Sequence, residues 1–145
     1  MPETKGRKLP QLIPFQKLGG HDQGFLSTSE QFKNSLFEVK RVFWTYDVPE
    51  NITRGKHAHR CTHELLVAVT GTVRVVVETA RGKEEEFILD SPQIGLHVPP
   101  LNWIELHFDN GAVMLGISSG DYNRAEYIDS YDEYCSLVYA NTAAE

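Results

Sequence analysis

Between Thr72 and Thr79 apolar and polar positions alternate. Val73, Val75 and Val77 fall on one face, and Thr72, Arg74, Val76 and Glu78 on the other. A two-residue period marks a strand with one buried face. Glu64 to Thr70 is mostly apolar and ends at Gly71, so it reads as a more deeply buried strand. Ala80 to Lys83 forms the turn after Thr79. Short strands are then predicted at Phe87–Leu89, Ile94–Val98, Trp103–Phe108 and Ala112–Ser118. Asp109-Asn110-Gly111 is a strong hairpin signal between the last two. Upstream, Leu36 to Asp47 is rich in β-branched and aromatic residues and reads as one long strand, followed by a loop at Pro49–Arg54. Leu12 to Leu18 reads as an edge strand whose pairing Pro14 limits. No amphipathic helix of three turns occurs before residue 120, and only the tail, about Ser130 to Tyr139, has helical character. Many short strands with Gly and Pro punctuation predict an all-β sandwich or barrel, best a jelly roll with a short C-terminal helical tail.

The 145 residues fit one domain, 1–145, with no linker or internal repeat. The chain is 41% hydrophobic and 23% charged, an ordinary globular balance. Its net charge of −6 argues against nucleic acid as a partner but leaves room for a local site for one small anion. No apolar run approaches the ~20 residues of a membrane span, and Met1 to Pro10 has no signal-peptide character. Two cysteines, Cys61 and Cys135, form no disulfide framework. A cytoplasmic protein with reduced thiols and no membrane association is expected.

Histidines carry the most specific signal. His57 and His59 stand two apart in Gly55-Lys56-His57-Ala58-His59, so a strand places both imidazoles on one face. Four residues separate His59 from Glu64, and six separate Glu64 from Gly71. This spacing resembles the first motif of the cupin superfamily. Gly95 and Pro99-Pro100 are similar to part of its second motif. Metal-binding cupins hold a metal with two histidines, a glutamate and a further histidine from the second motif. Here Ile104 stands near that last position and His107 falls three residues late, so no metal and no cofactor is expected.

A closer resemblance spans most of the chain. Phe37 to Trp44, Arg54-Gly55-Lys56-His57-Ala58-His59, Gly95 to Pro100, Trp103-Ile104-Glu105 and Tyr127-Ile128-Asp129-Ser130-Tyr131-Asp132-Glu133-Tyr134 follow the order found in the nucleotide-sugar 3,4-ketoisomerases. The resemblance implies an isomerase acting on dTDP-4-keto-6-deoxyglucose in deoxysugar biosynthesis, with no cofactor. It implies His57 as base and His59 as its partner. It also implies a homodimer formed by exchange of N-terminal strands. Three positions depart from the pattern: Ile104 follows the tryptophan where a proton-bearing residue is frequent, Gln23 precedes Gly24-Phe25-Leu26, and His63 replaces another polar residue.

The chemistry of such a step matches the residues. A carbonyl acidifies the neighbouring C–H, so the reaction needs a base of near-neutral pKa and a donor for the developing enolate oxygen. Histidine suits the first role. Glu64 is a candidate to orient an imidazole, and equally reads as a solvated strand-end carboxylate. For the dTDP-sugar, Arg41 is the leading phosphate ligand, because an unpaired guanidinium on a core-building strand is costly; a salt bridge is the other reading. Trp103 and Trp44 are candidates to pack on thymine or sugar, though core packing is commoner for tryptophan. Glu105 is placed to accept a sugar hydroxyl or to pair with Arg41, and Arg54 and Tyr46 complete the substrate-binding set. Tyr122, Tyr127, Tyr131 and Tyr134 are expected to pin the tail, and His21, His97 and Cys61 to be structural or on the surface. The competing readings are a metal-dependent cupin enzyme and a non-catalytic nucleotide-sugar-binding cupin. A related sugar epimerase is a further alternative, but it needs an aspartate beside the histidine, and none is evident near His57.

Overall fold

The computed structural model describes residues 8–30, 32 and 36–143. One antiparallel sheet contains β1 (Gln11–Pro14), β9 (Ile94–Val98), β6 (Glu64–Thr70), β11 (Val113–Ser118) and β4 (Arg41–Thr45), in that spatial order. The second contains β12 (Tyr127–Ile128), β5 (Thr53–His59), β10 (Trp103–Phe108), β7 (Val73–Glu78) and β8 (Glu84–Leu89). A hairpin of β2 (Gln16–Gly20) and β3 (Gly24–Thr28) stands apart, and α1 (Tyr131–Ala143) closes the chain. Sequence neighbours are mostly not sheet neighbours, which is the crossed connectivity of a jelly roll.

Alternation decides what lies between the sheets. Val73, Val75 and Val77 of β7 and Ile104, Leu106 and Phe108 of β10 face inward, where they pack against Leu66, Leu96 and Met114 of the opposite sheet. At Gly71 the backbone is left-handed (φ 72°), and a Cβ would stand 2.7 Å from the Ala112 backbone, so only glycine fits this turn.

Several predicted bounds shift. The long Leu36–Asp47 stretch supplies only the five residues of β4. Leu12–Leu18 divides into β1 and β2 at Phe15, whose N–H leaves the ladder to reach the Gln93 carbonyl at 2.7 Å. Thr53 and Arg54, expected in a loop, already belong to β5. The last strand before β9 starts at Glu84, because Glu84-Glu85-Glu86 lies on an exposed edge where charge is tolerated.

The tail docks on the outer side of the second sheet. Tyr134 is fully buried with Ala58, Trp103, Ile128 and Val138, and its hydroxyl donates to the carbonyl region of Glu78 (3.0 Å) and Leu101 (3.1 Å). A buried tyrosine that loses water must find such partners. Asn102 fastens the turn beneath it, donating to the Pro99 carbonyl at 3.0 Å and accepting from the Ala80 N–H at 3.0 Å.

Candidate active site

The site starts with a bulge. Ile104 of β10 pairs with His57 of β5, but the next residue, Glu105, pairs with Gly55, leaving Lys56 unopposed. Gly55 and Lys56 both have left-handed backbones (φ 81° and 57°). A Cβ on Gly55 would stand 2.9 Å from the Ile104 carbonyl oxygen, so the bulge needs glycine there. Its effect is to aim His57 inward, into a cavity of about 630 Å³. Arg41 and Phe43 from β4, Arg54 and His57 from β5, Glu64 from β6 and Ile104 from β10 line it. Arg124, Tyr127 and Asp129 from the C-terminal segment complete the wall.

His59 lies deeper than His57, 5% exposed, with the two rings edge-to-face at 5.0 Å between centroids. Its Nε2 is 2.9 Å from Oε1 of Glu64, itself 4% exposed. The carboxylate thus stands within contact distance of the imidazole, although among the described residues neither ring nitrogen of His59 has a partner in regular hydrogen-bond geometry. Burial alone would raise the Glu64 pKa. The adjacent His59 imidazole, with the charges of His57 and Arg41, outweighs burial and holds the carboxyl below its ordinary value. Glu64 is therefore a buried carboxylate beside His59, and the solvated strand-end reading fails. The pKa of His57 is lowered, chiefly by burial and then by the neighbouring charge of His59, while Glu64 and Asp129 oppose the shift.

The cavity's cations are Arg41, Arg54 and Arg124. Arg41 packs over Phe43 and Tyr122, at 5.2 and 5.6 Å to the ring centroids. Its Nη2 is 3.5 Å from the Tyr127 hydroxyl, and its buried Nε has no hydrogen-bond partner among the described residues. Arg124 is ion-paired with Asp129.

Not all candidate residues meet here. Arg41, Arg54 and His57 line the cavity, and His59 lies directly behind it through its contacts with His57 and Glu64. Trp103 and Glu105 do not, because Ile104 between them points inward and strand alternation sends them outward. Trp103, 7% exposed, packs on Tyr131 and Tyr134, at 5.4 and 5.5 Å between centroids. With Glu105 and Lys56 it borders a separate outer groove. Glu105 does not pair with Arg41; its Oε2 lies 4.0 Å from His107 Nε2 on the outer face. His107 thus points away from the His57 cavity. Tyr46, 59% exposed just past β4, and Trp44, 62% exposed on the outward face of that strand, also stay outside. Gln23 sits in the turn of the β2–β3 hairpin, away from the cavity walls.

Sequence reasoning missed Tyr127, Arg124 and Asp129. Tyr127 was expected to pin the tail, as Tyr131 and Tyr134 do, but its ring lies 5.0 Å from His57 and 4.6 Å from His59. Asp129 supplies the carboxylate near His57 that the sequence did not reveal. The signal was the Tyr127–Tyr134 motif itself, whose first residues form β12 beside β5. His97, expected to be structural or on the surface, is buried with Nε2 3.0 Å from His63 Nδ1, the two rings stacked.

A jelly roll that gathers two strand-borne histidines and a buried glutamate at an internal cavity is a site of the cupin class. The family model described as "FdtA: WxcM-like, C-terminal" matches residues 8–139, and the chain belongs to that family. A TDP-4-oxo-6-deoxy-alpha-D-glucose-3,4-oxoisomerase of Aneurinibacillus thermoaerophilus is 35% identical over 128 residues, covering 88% of this chain and 91% of the relative. QdtA, a sugar 3,4-ketoisomerase from Thermoanaerobacterium thermosaccharolyticum solved in complex with TDP, superposes with a TM-score of 0.84 at 30% identity, covering 91% of this chain and 96% of that one. A 3,4-ketoisomerase from Helicobacter canadensis gives 0.82 at 31% identity, covering 90% and 97%.

Proposed function

We propose that this chain is a sugar 3,4-ketoisomerase of deoxysugar biosynthesis, moving the keto group of a dTDP-4-keto-6-deoxyhexose from C4 to C3. The observation that carries the mechanism is the aim of His57 into a cavity ringed by Arg41, Arg54 and Arg124. Three guanidiniums suit a pyrophosphate, whose oxygens match the arginine fork. The Arg41 Nε, buried without a partner among the described residues, supports a role for Arg41 at that anion.

His57 is the base. Burial keeps its imidazole neutral at pH 7, so the ring is free to take the C3 proton. The C3–H bonding pair becomes the C3=C4 bond of an enediol, and reprotonation at C4 leaves the ketone at C3. His59, backed by the Glu64 carboxylate, holds the ring of His57 edge-on and offers a second proton-carrying group.

His57, His59 and Glu64 also bring donor atoms within 4.8 Å of one another, enough ligands to hold a divalent cation. Such an ion would supply Lewis-acid polarisation of the ketone. A base needs the lone pair of His57, and a metal ligand spends it. The metal-free reading rests on that conflict and on the apolar Ile104 across from His57.

The working form is a homodimer in the cytoplasm. Val42 and Trp44 on β4 and Val69 on β6 leave apolar surface exposed on one outer sheet face, and β4 is an edge strand. Trp44→Glu is expected to shift the species seen by sedimentation from dimer to monomer. Two free cysteines fit a reducing compartment.

Incubation with dTDP-4-keto-6-deoxyglucose in deuterated water, followed by NMR, tests the activity. The expected result is loss of the C3 proton signal and growth of a 3-keto product. Tight binding without exchange would point to a non-catalytic carrier instead.

A further inference from the structure

We infer that the Tyr127 hydroxyl is the acid–base group for the sugar oxygens, working beside His57, which serves the carbons. The inference rests on the isomerase reading above. Most ionisable groups lining the cavity are already engaged. Glu64 is buried against His59, and Asp129 is ion-paired with Arg124. The guanidiniums of Arg41, Arg54 and Arg124 do not deprotonate in proteins. His57 and Tyr127 remain.

Strand register sets them side by side. Ile104 is the cross-strand neighbour of His57 on one flank, and Tyr127 is the cross-strand neighbour of His59 on the other. The two imidazoles therefore stand between an apolar wall and a phenol. Ile104 itself has no proton to hand over. The Tyr127 ring touches both imidazoles, and its hydroxyl reaches toward Arg41, whose Nη2 lies 3.5 Å away, the outer limit of a hydrogen bond. In that contact the guanidinium donates and the phenol oxygen accepts, which leaves the phenol's own hydrogen to be given to a substrate. The same cation faces the negative charge that remains on the oxygen afterwards.

The step balances. His57 takes the C3 proton, the C3–H pair forms C3=C4, and the C4=O pair moves to the C4 oxygen, which takes the phenolic proton. The Tyr127 phenolate then removes the proton of the C3 hydroxyl, and that oxygen's pair forms the C3=O bond. The C3=C4 pair takes a proton at C4 while the His57 imidazolium gives one up. Both residues end as they began, and no further reactant is used.

Tyr127→Phe removes one oxygen and keeps the ring that packs on His57 and His59. Its kcat is expected to fall by ~10²–10⁴-fold, with thymidine diphosphate binding little changed. Fluorotyrosine placed at 127 keeps the hydroxyl and makes it more acidic, so the alkaline limb of the kcat profile is expected to move to lower pH. Near wild-type turnover in Tyr127→Phe, or an unmoved limb with fluorotyrosine, would overturn the role of Tyr127 alone. Absence of C3 exchange in the unmodified protein would overturn the isomerase reading and this inference with it.

Discussion

Ile104 stands directly across from His57 in the β10–β5 ladder, with Lys56 bulged out beside them. The pairing sets an apolar, 2%-exposed side chain against the imidazole proposed as base. Burial is the main reason that imidazole is harder to protonate than a free histidine. A base is active in its neutral form, so the acid limb of kcat/KM is expected below pH 6.5, the ordinary histidine value. Ile104→Asn wets that wall and is expected to move the limb upward. His57→Asn is expected to lower turnover by ~10²–10⁴-fold and to abolish the limb, with binding little affected. If His57→Asn exchanges the C3 proton at a near wild-type rate, another group is the base.

Nucleotide binding is read directly in thermal melts. A ligand that binds only the folded state at about 100 times its Kd adds ~2.7 kcal/mol of stability. Thymidine diphosphate is expected to raise the Tm of the wild type. In Arg41→Ala the shift is expected to shrink, because a guanidinium lining the cavity is gone. An equal shift in both proteins would remove Arg41 from the phosphate site.

Dialysis against EDTA is expected to leave turnover intact, because the His57 lone pair is needed for the proton. Loss of activity restored by one particular divalent ion would instead place His57, His59 and Glu64 around that ion.

The stacked pair of half-buried His63 and buried His97 gives the fold an acid-sensitive point away from the cavity. Burial and then the charge of its partner lower the His97 pKa from 6.5 to about 4, and burial lowers that of His63. Between those pH values the unfolded chain binds more protons than the folded one, so stability declines as pH falls from 6.5 toward 4 and is fully present above 6.5. His97→Gln is expected to flatten that decline in urea melts at stepped pH. An unchanged slope would assign the acid sensitivity elsewhere.

What the sequence by itself determined was whatever local period and spacing encode. The alternation of Val73, Val75 and Val77 specifies a strand face wherever that strand ends up, because side chains along a strand point to opposite sides. The two-residue spacing of His57 and His59, with glycine at 55, likewise carries its own geometry. The tail helix around Tyr134 and the hairpin turn at Gly111 were legible for the same local reason. Tertiary structure alone decided who shares the cavity. Tyr127 belongs to a two-residue strand, too short to show any period, and it reaches His59 by pairing with β5 across 68 positions of sequence. Arg124 and Asp129 arrive with it. Trp103 and Glu105 were drawn toward the site by their place in a motif. One inward-facing neighbour, Ile104, turned both to the other side of the sheet. Which face of a strand meets the cavity depends on pairing and bulges between distant segments, and no local pattern records those.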